Sequence, residues 1–104
     1  MSDMTEEQIR ELISRRRRQI LVHSIIYYEL DDCLVSDNQW AEWALELEKL
    51  QEEYPDIAKT CIYADEFKTF EHSSGYNLPL RDPWGVRKAR HLISYRDRKV
   101  KGEK

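Results

Sequence analysis

A capped amphipathic run in the middle of the chain constrains the fold most. Ser36 stands three residues ahead of Gln39, just before an apolar series of Trp40, Trp43, Ala44, Leu47 and Leu50. These positions recur in three- and four-residue steps, the repeat of one helix face, and no alternating strand pattern accommodates them. Ser36 offers the side-chain oxygen that a helix N-terminus needs for its free backbone N–H groups, and Gln39 stands at the reciprocal capping-box position. The acids Glu42, Glu46, Glu48, Glu52 and Glu53 are interspersed over the remaining surface. Pro55 ends the run, because the residue before a proline is pushed out of the α region.

A second helical pattern precedes it. Thr5 and Gln8 have capping-box spacing, and Ile9, Leu12, Ile13, Ile20 and Tyr27 recur along one face. The run Arg15 to Arg18 covers all sides of this helix, so its members read as solvated or paired with nearby acids. Asp31 and Asp32 mark its end. Two helices joined by so short a connection form an antiparallel hairpin. Farther on, Ile57, Cys61, Phe67 and Phe70 suggest one or two short helical turns, and residues 73–81 read as a loop. Asp82 followed by Pro83 makes an N-cap and first-turn pair for a last helix, whose Val86, Ala89, Leu92 and Ile93 face a core. The expected fold is all-α, an antiparallel helical hairpin with additional C-terminal helices in one small domain.

Composition sets the outer bounds. With 104 residues, one domain is the natural count. No stretch approaches the roughly 18–20 apolar residues that span a bilayer, so no membrane partner is expected. The acidic, polar N-terminus carries no signal-peptide pattern, and two cysteines are too few for a disulfide scaffold, which points to a cytoplasmic setting. The net charge of -3 conceals an asymmetry: residues 87–104 hold eight Lys or Arg against two acids. We expect a helical domain over residues 1–95 and a basic, disordered tail over residues 96–104, the only part suited to nucleic acid.

The densest group of candidate site residues lies across the hairpin. His23, Tyr27, Tyr28 and Asp31 stand near the end of the first helix, and Asp37 and Trp40 at the start of the second. Aromatic faces, hydroxyls and carboxylates are what a nucleotide carrying a pyridinium ring needs, because the cationic ring stacks on Tyr or Trp. The plainer reading of such aromatics is a hydrophobic core. His23, His72 and His91, with Cys33 and Cys61, show no paired metal-ligand spacing, and no metal is expected.

Spacing also carries a resemblance. Tyr27-Tyr28-Glu29-Leu30-Asp31, five residues, then Asp37-Asn38-Gln39-Trp40 resembles the signature of the small N-terminal module, domain Ia, of NAD-dependent DNA ligases. Glu46-Leu47-Glu48-Lys49-Leu50 is similar to that family's Glu-Leu-x-x-Leu, and Tyr54-Pro55-Asp56 to its closing turn, so the likeness covers about residues 10–60. The resemblance implies a module that grips the nicotinamide mononucleotide half of NAD. By position, Tyr27 and Tyr28 would contact the nicotinamide nucleotide and Asp37 would support the same site. Trp40 stands where the family has Tyr, and Ala41 where it has a second Asp. The family's Lys-x-Asp-Gly motif, whose lysine is adenylated, does not occur, so no catalytic activity is expected. Short proteins resembling this module are typical of phage genomes.

Residues 61–104 match no ligase part. Gly75 and Gly85 suit close backbone approach or a positive φ. Trp84, beside Arg81 and Arg87, reads as a cap over the hairpin's core or as an exposed anchor for a protein partner. Two functions therefore follow from the sequence. One is a non-catalytic module binding nicotinamide mononucleotide or NAD through His23, Tyr27, Tyr28, Asp37 and Trp40. The other is a phage-type interaction factor that uses the same scaffold to bind or inhibit a host enzyme.

Overall fold

The predicted N-caps form, with the reciprocal capping-box bond at Thr5 and only the serine half of it at Ser36. In the computed structural model, which describes residues 4–68, 70 and 78–102, Thr5 Oγ1 accepts from the Gln8 N–H at 3.1 Å and Gln8 Oε1 accepts from the Thr5 N–H at 2.9 Å. They open α1, Glu6–Tyr28. Ser36 Oγ accepts from the Gln39 N–H at 3.1 Å and opens α2, Asp37–Glu53. Tyr54, forced out of helical geometry by the following proline, closes α2, and Pro55 starts the single turn of α3, Pro55–Ala58. A last helix, α4, spans Pro83–Gly102. Asp82 Oδ2 caps its first turn by accepting from the Gly85 N–H at 2.9 Å. Among the described residues there is no strand, and the fold is all-α. No break marks the expected domain boundary after residue 95, for α4 runs through it. His72 and the loop residues 73–77, Gly75 among them, lie outside the described residues.

Contacts between α1 and α2 show the antiparallel hairpin. Ser24 meets Trp40, Arg17 meets Gln51, and Arg10 reaches Thr60 beyond α3, so partner numbers rise as α1 is followed backwards. By contrast, α4 runs in the same direction as α1: Gly85 lies against Ile25 and Leu21, and Arg96 meets Asp32. A Cβ on Gly85 would stand 2.6 Å from Ile25 Cδ1, so the bare glycine backbone lets α4 settle directly on α1.

This arrangement makes α1 the central helix. Its second half buries Ile20, Leu21, Val22, Ser24, Ile25 and Ile26, more than one face, because α2 covers one flank and α4 another. Ile13, Leu47 and Phe67 are fully buried as well, and each large apolar side chain so buried contributes about 1.5–3 kcal/mol. The stripe on α2 divides as a half-turned helix should: Ala44 and Leu47 are buried, while Trp40, Trp43 and Leu50 pack from the edge. On α4, Ala89 is buried and Val86, Leu92 and Ile93 are packed against the core as expected.

Two side chains, Tyr27 and Arg17, depart from the sequence reading, and Trp84 takes the exposed one of its two readings. Tyr27, counted on the apolar face of α1, is 57% exposed, because α2 has already ended its cover one turn earlier. Trp84 is 37% exposed and does not seal the core. Arg17, expected at the surface with its neighbours, is only 2% exposed. It donates to Gln51 Oε1 at 2.9 Å and to the Ile62 carbonyl at 2.8 Å, and its guanidinium lies over the Phe67 ring. Arg15 and Arg16 do pair with acids as expected, with Glu11 and Glu46.

Candidate functional site

The end of α1, the loop that follows and the first turn of α2 enclose a cavity of about 330 Å³. From α1 come His23, Tyr27 and Tyr28; from the loop, Cys33, Leu34, Val35 and Ser36; from α2, Asp37, Trp40 and Ala41. The hairpin thus brings together His23, Tyr27, Tyr28, Asp37 and Trp40, residues that its sequence keeps on two separate helices. Asp31 is not among the lining residues. It adopts the left-handed conformation, φ 53°, which Asp tolerates better than most side chains, and so serves the turn out of α1.

Each wall has an identifiable support. Trp40 is oriented by its indole N–H, which donates to Ser24 Oγ at 3.3 Å, and by an edge contact with Phe70, centroids 6.4 Å apart. His23 rests against Trp43 at 5.5 Å between rings. Tyr27 and Tyr28 stand nearly perpendicular, 4.9 Å apart, and expose much of their surface, so a flat ligand ring can meet an aromatic face at the mouth. Behind the loop, Asp32 accepts two hydrogen bonds from Arg96 and one from the Cys33 N–H, which hold its carboxyl below the usual carboxylate range. This clamp fixes the loop just before the lining residues. The sequence spacing gave no sign of it, because its two members are far apart in the chain.

The site's charge is as telling as its shape. Among the described residues, no Lys or Arg lines it and Asp37 is its single carboxylate. Burial holds the His23 imidazole below its ordinary pKa, so the ring is neutral near pH 7. Its Nδ1 is buried and has no hydrogen-bond partner among the described residues. An unsatisfied buried nitrogen costs about 1–3 kcal/mol, which a ligand group able to bond it would recover. Aromatic faces, one anion and no cation favour a cationic or neutral planar group over an anionic one. Cys33, Leu34, Val35 and Ala41 also line the cavity. The only sequence signal for the three loop residues is their place between the two matched anchors.

Elsewhere, Cys61 is buried, its thiol donating to the Ile57 carbonyl at 3.3 Å. Among the described residues, no group of three or more His, Cys, Asp or Glu side chains converges as a metal site would, and no helix is long and apolar enough to cross a membrane.

Comparison with known proteins agrees with the ligase resemblance at a coarse level. The chain is similar to a DNA ligase of Pseudothermotoga lettingae, 31% identical over 75 residues, which is 64% of this chain and 11% of the ligase. It therefore spans about a tenth of the length of the ligase it matches. No protein-family model matches the chain, and no solved structure matches it. At 31% identity over those 75 residues, the relationship supported is a distant one, to DNA ligases.

Proposed function

We propose that the chain is a non-catalytic, ligase-related module that binds the nicotinamide mononucleotide part of NAD. The observation that carries this reading is the convergence of His23, Tyr27, Tyr28, Asp37 and Trp40 on one cavity that no Lys or Arg lines among the described residues. In this reading the pyridinium ring stacks against the aromatic faces of Tyr27, Tyr28 or Trp40. Asp37 offsets the ring's charge or accepts from ribose hydroxyls, and His23 Nδ1 bonds the carboxamide. The phosphate, which meets no cation among the described lining residues, stays toward solvent.

A second reading is favoured by one specific feature. Ala41 puts a methyl group in the cavity wall where the resembled signature has a carboxylate. With that carboxylate gone, the same scaffold would serve as a phage-type factor that binds or inhibits a host enzyme.

Calorimetric titration with nicotinamide mononucleotide and with NAD separates the two. Under the first reading both bind in the micromolar to low-millimolar range, and a Tyr27→Ala, Asp37→Ala double variant loses the heat while keeping its helical circular dichroism. Absence of binding by the parent protein would sink the nucleotide reading and leave the interaction factor.

A further inference from the structure

The face of α4 turned away from α1 takes no part in the cavity. Trp84, Lys88, His91, Tyr95 and Arg98 follow one another at three- and four-residue steps with Arg87 beside them, three residues after Trp84 and four before His91, and all six are exposed. They lie opposite the core-facing Val86, Ala89, Leu92 and Ile93. No acid interrupts the stripe. Asp97 stands round the side of the helix and pairs with Arg96 at 3.1 Å. Among the described residues, Arg87, Lys88 and Arg98 have no ion pair or hydrogen bond. The stripe belongs to a chain whose overall charge is -3, so its positive charge is concentrated and not a general property of the surface.

We propose that this face of α4 binds single-stranded nucleic acid, with phosphates held by Arg87, Lys88 and Arg98 and bases stacked on Trp84 and Tyr95. Unpaired cations interleaved with exposed aromatic rings are the two components of such a surface: charge tracks the backbone, and each π face takes a base. Trp84 and Tyr95 are 37% and 57% exposed. The helix sets them roughly 16 Å apart, at ~1.5 Å per residue, so they meet different bases. A membrane surface would require the apolar face of α4, and that face is already buried against α1. An acidic protein would satisfy the cations but leave two separated, flat aromatic faces without a use.

The test is fluorescence anisotropy of a labelled oligothymidylate, and of a duplex of the same length, with the full chain over a range of salt concentrations. We expect saturable binding of the single strand that weakens with salt. Arg87→Glu with Lys88→Glu lowers affinity at least tenfold and reduces the salt slope by roughly 1.4, at about 0.7 per lost phosphate contact. Tyr95→Ala alone, at a position that contributes little to packing, lowers affinity roughly fivefold or more with the salt slope unchanged. Lys49→Glu, an equal kind of charge change on the exposed surface of α2, leaves binding as it was. The proposal is overturned by absence of binding at low salt, by parent-like affinity in either α4 variant, by an equal loss in Lys49→Glu, or by duplex binding as tight as that of the single strand. Calorimetry with nicotinamide mononucleotide on the same variants reads the cavity independently, so failure of one site is distinguishable from failure of the other.

Discussion

Arg96 holds Asp32 with both terminal nitrogens, Nη1 to Oδ1 at 3.1 Å and Nη2 to Oδ2 at 2.9 Å. The pair joins the second half of α4 to the residue just before the loop wall of the cavity. A two-point guanidinium–carboxylate contact fixes direction as well as distance, so it constrains the loop more than a single ion pair would. The C-terminal helix, which lies outside the residues that carry the domain Ia resemblance, thereby supports the candidate site.

Breaking that clamp is expected to weaken ligand binding more than it weakens the fold. Arg96→Met or Asp32→Asn should lower nicotinamide mononucleotide affinity roughly threefold, with a change in melting temperature of only a degree or two, as befits a pair still partly open to solvent. Acidification should do the same. The Asp32 carboxyl is held below its ordinary value by the Arg96 hydrogen bonds and then by the Cys33 N–H. Its contribution is thus fully present above the unfolded value of about 3.9 and is lost as pH falls through the lower folded value. Calorimetry of both variants decides it, and parent-like affinities would show that the loop keeps its shape without the clamp.

His23 should make stability pH-dependent in a higher window. Burial depresses its pKa in the folded protein, so the unfolded chain binds the extra proton first. Stability is therefore complete above the unfolded value of about 6.5 and declines as pH falls toward the depressed folded value. In His23→Phe, which retains a ring against Trp43, thermal melts between pH 7 and pH 5 should lose this part of the slope. The same variant should bind nicotinamide mononucleotide more weakly, because the unpartnered Nδ1 is gone. An unaltered slope would mean that another group carries the titration.

Arg17 is the side chain whose loss should cost the fold most per atom removed. Arg17→Ala leaves Gln51 Oε1 and the Ile62 carbonyl without their donor and opens space beside Phe67. A loss of about 3 kcal/mol is expected from urea unfolding, and Arg17→Lys should recover only part of it, since one ammonium does not reproduce the planar fork. A loss under about 1 kcal/mol would show that the buried guanidinium is dispensable.

Ala41→Asp should strengthen the proposed site. The position lines the cavity from the start of the second turn of α2, and a carboxylate there beside Asp37 would add attraction for a pyridinium ring. A gain of about 1 kcal/mol, or roughly fivefold in affinity, is expected at low salt and should shrink as salt is raised. Equal or weaker binding by Ala41→Asp would argue that a cationic ring does not occupy this cavity.

The sequence by itself determined the helices and most of the candidate site. Thr5, Ser36, Pro55 and Pro83 act through the backbone within a few residues of themselves, so their effects on helix ends were readable without a fold. The short link from α1 to α2 was enough to bring His23, Tyr27 and Tyr28 toward Asp37 and Trp40, because a hairpin leaves those helix ends no other place. Tertiary structure alone decided what depended on a third element. Phe67, Gln51 and the Ile62 carbonyl gave Arg17 a buried niche, whereas the local pattern of four arginines offered only solvent. The course of α4 alongside α1 set Arg96 on Asp32, and the end of cover by α2 left Tyr27 open at the cavity mouth. Local capping and periodicity are short-range and survive in a one-dimensional reading. Burial and long-range pairing depend on which helices become neighbours, and that was fixed only when α1 was enclosed by α2, α3 and α4.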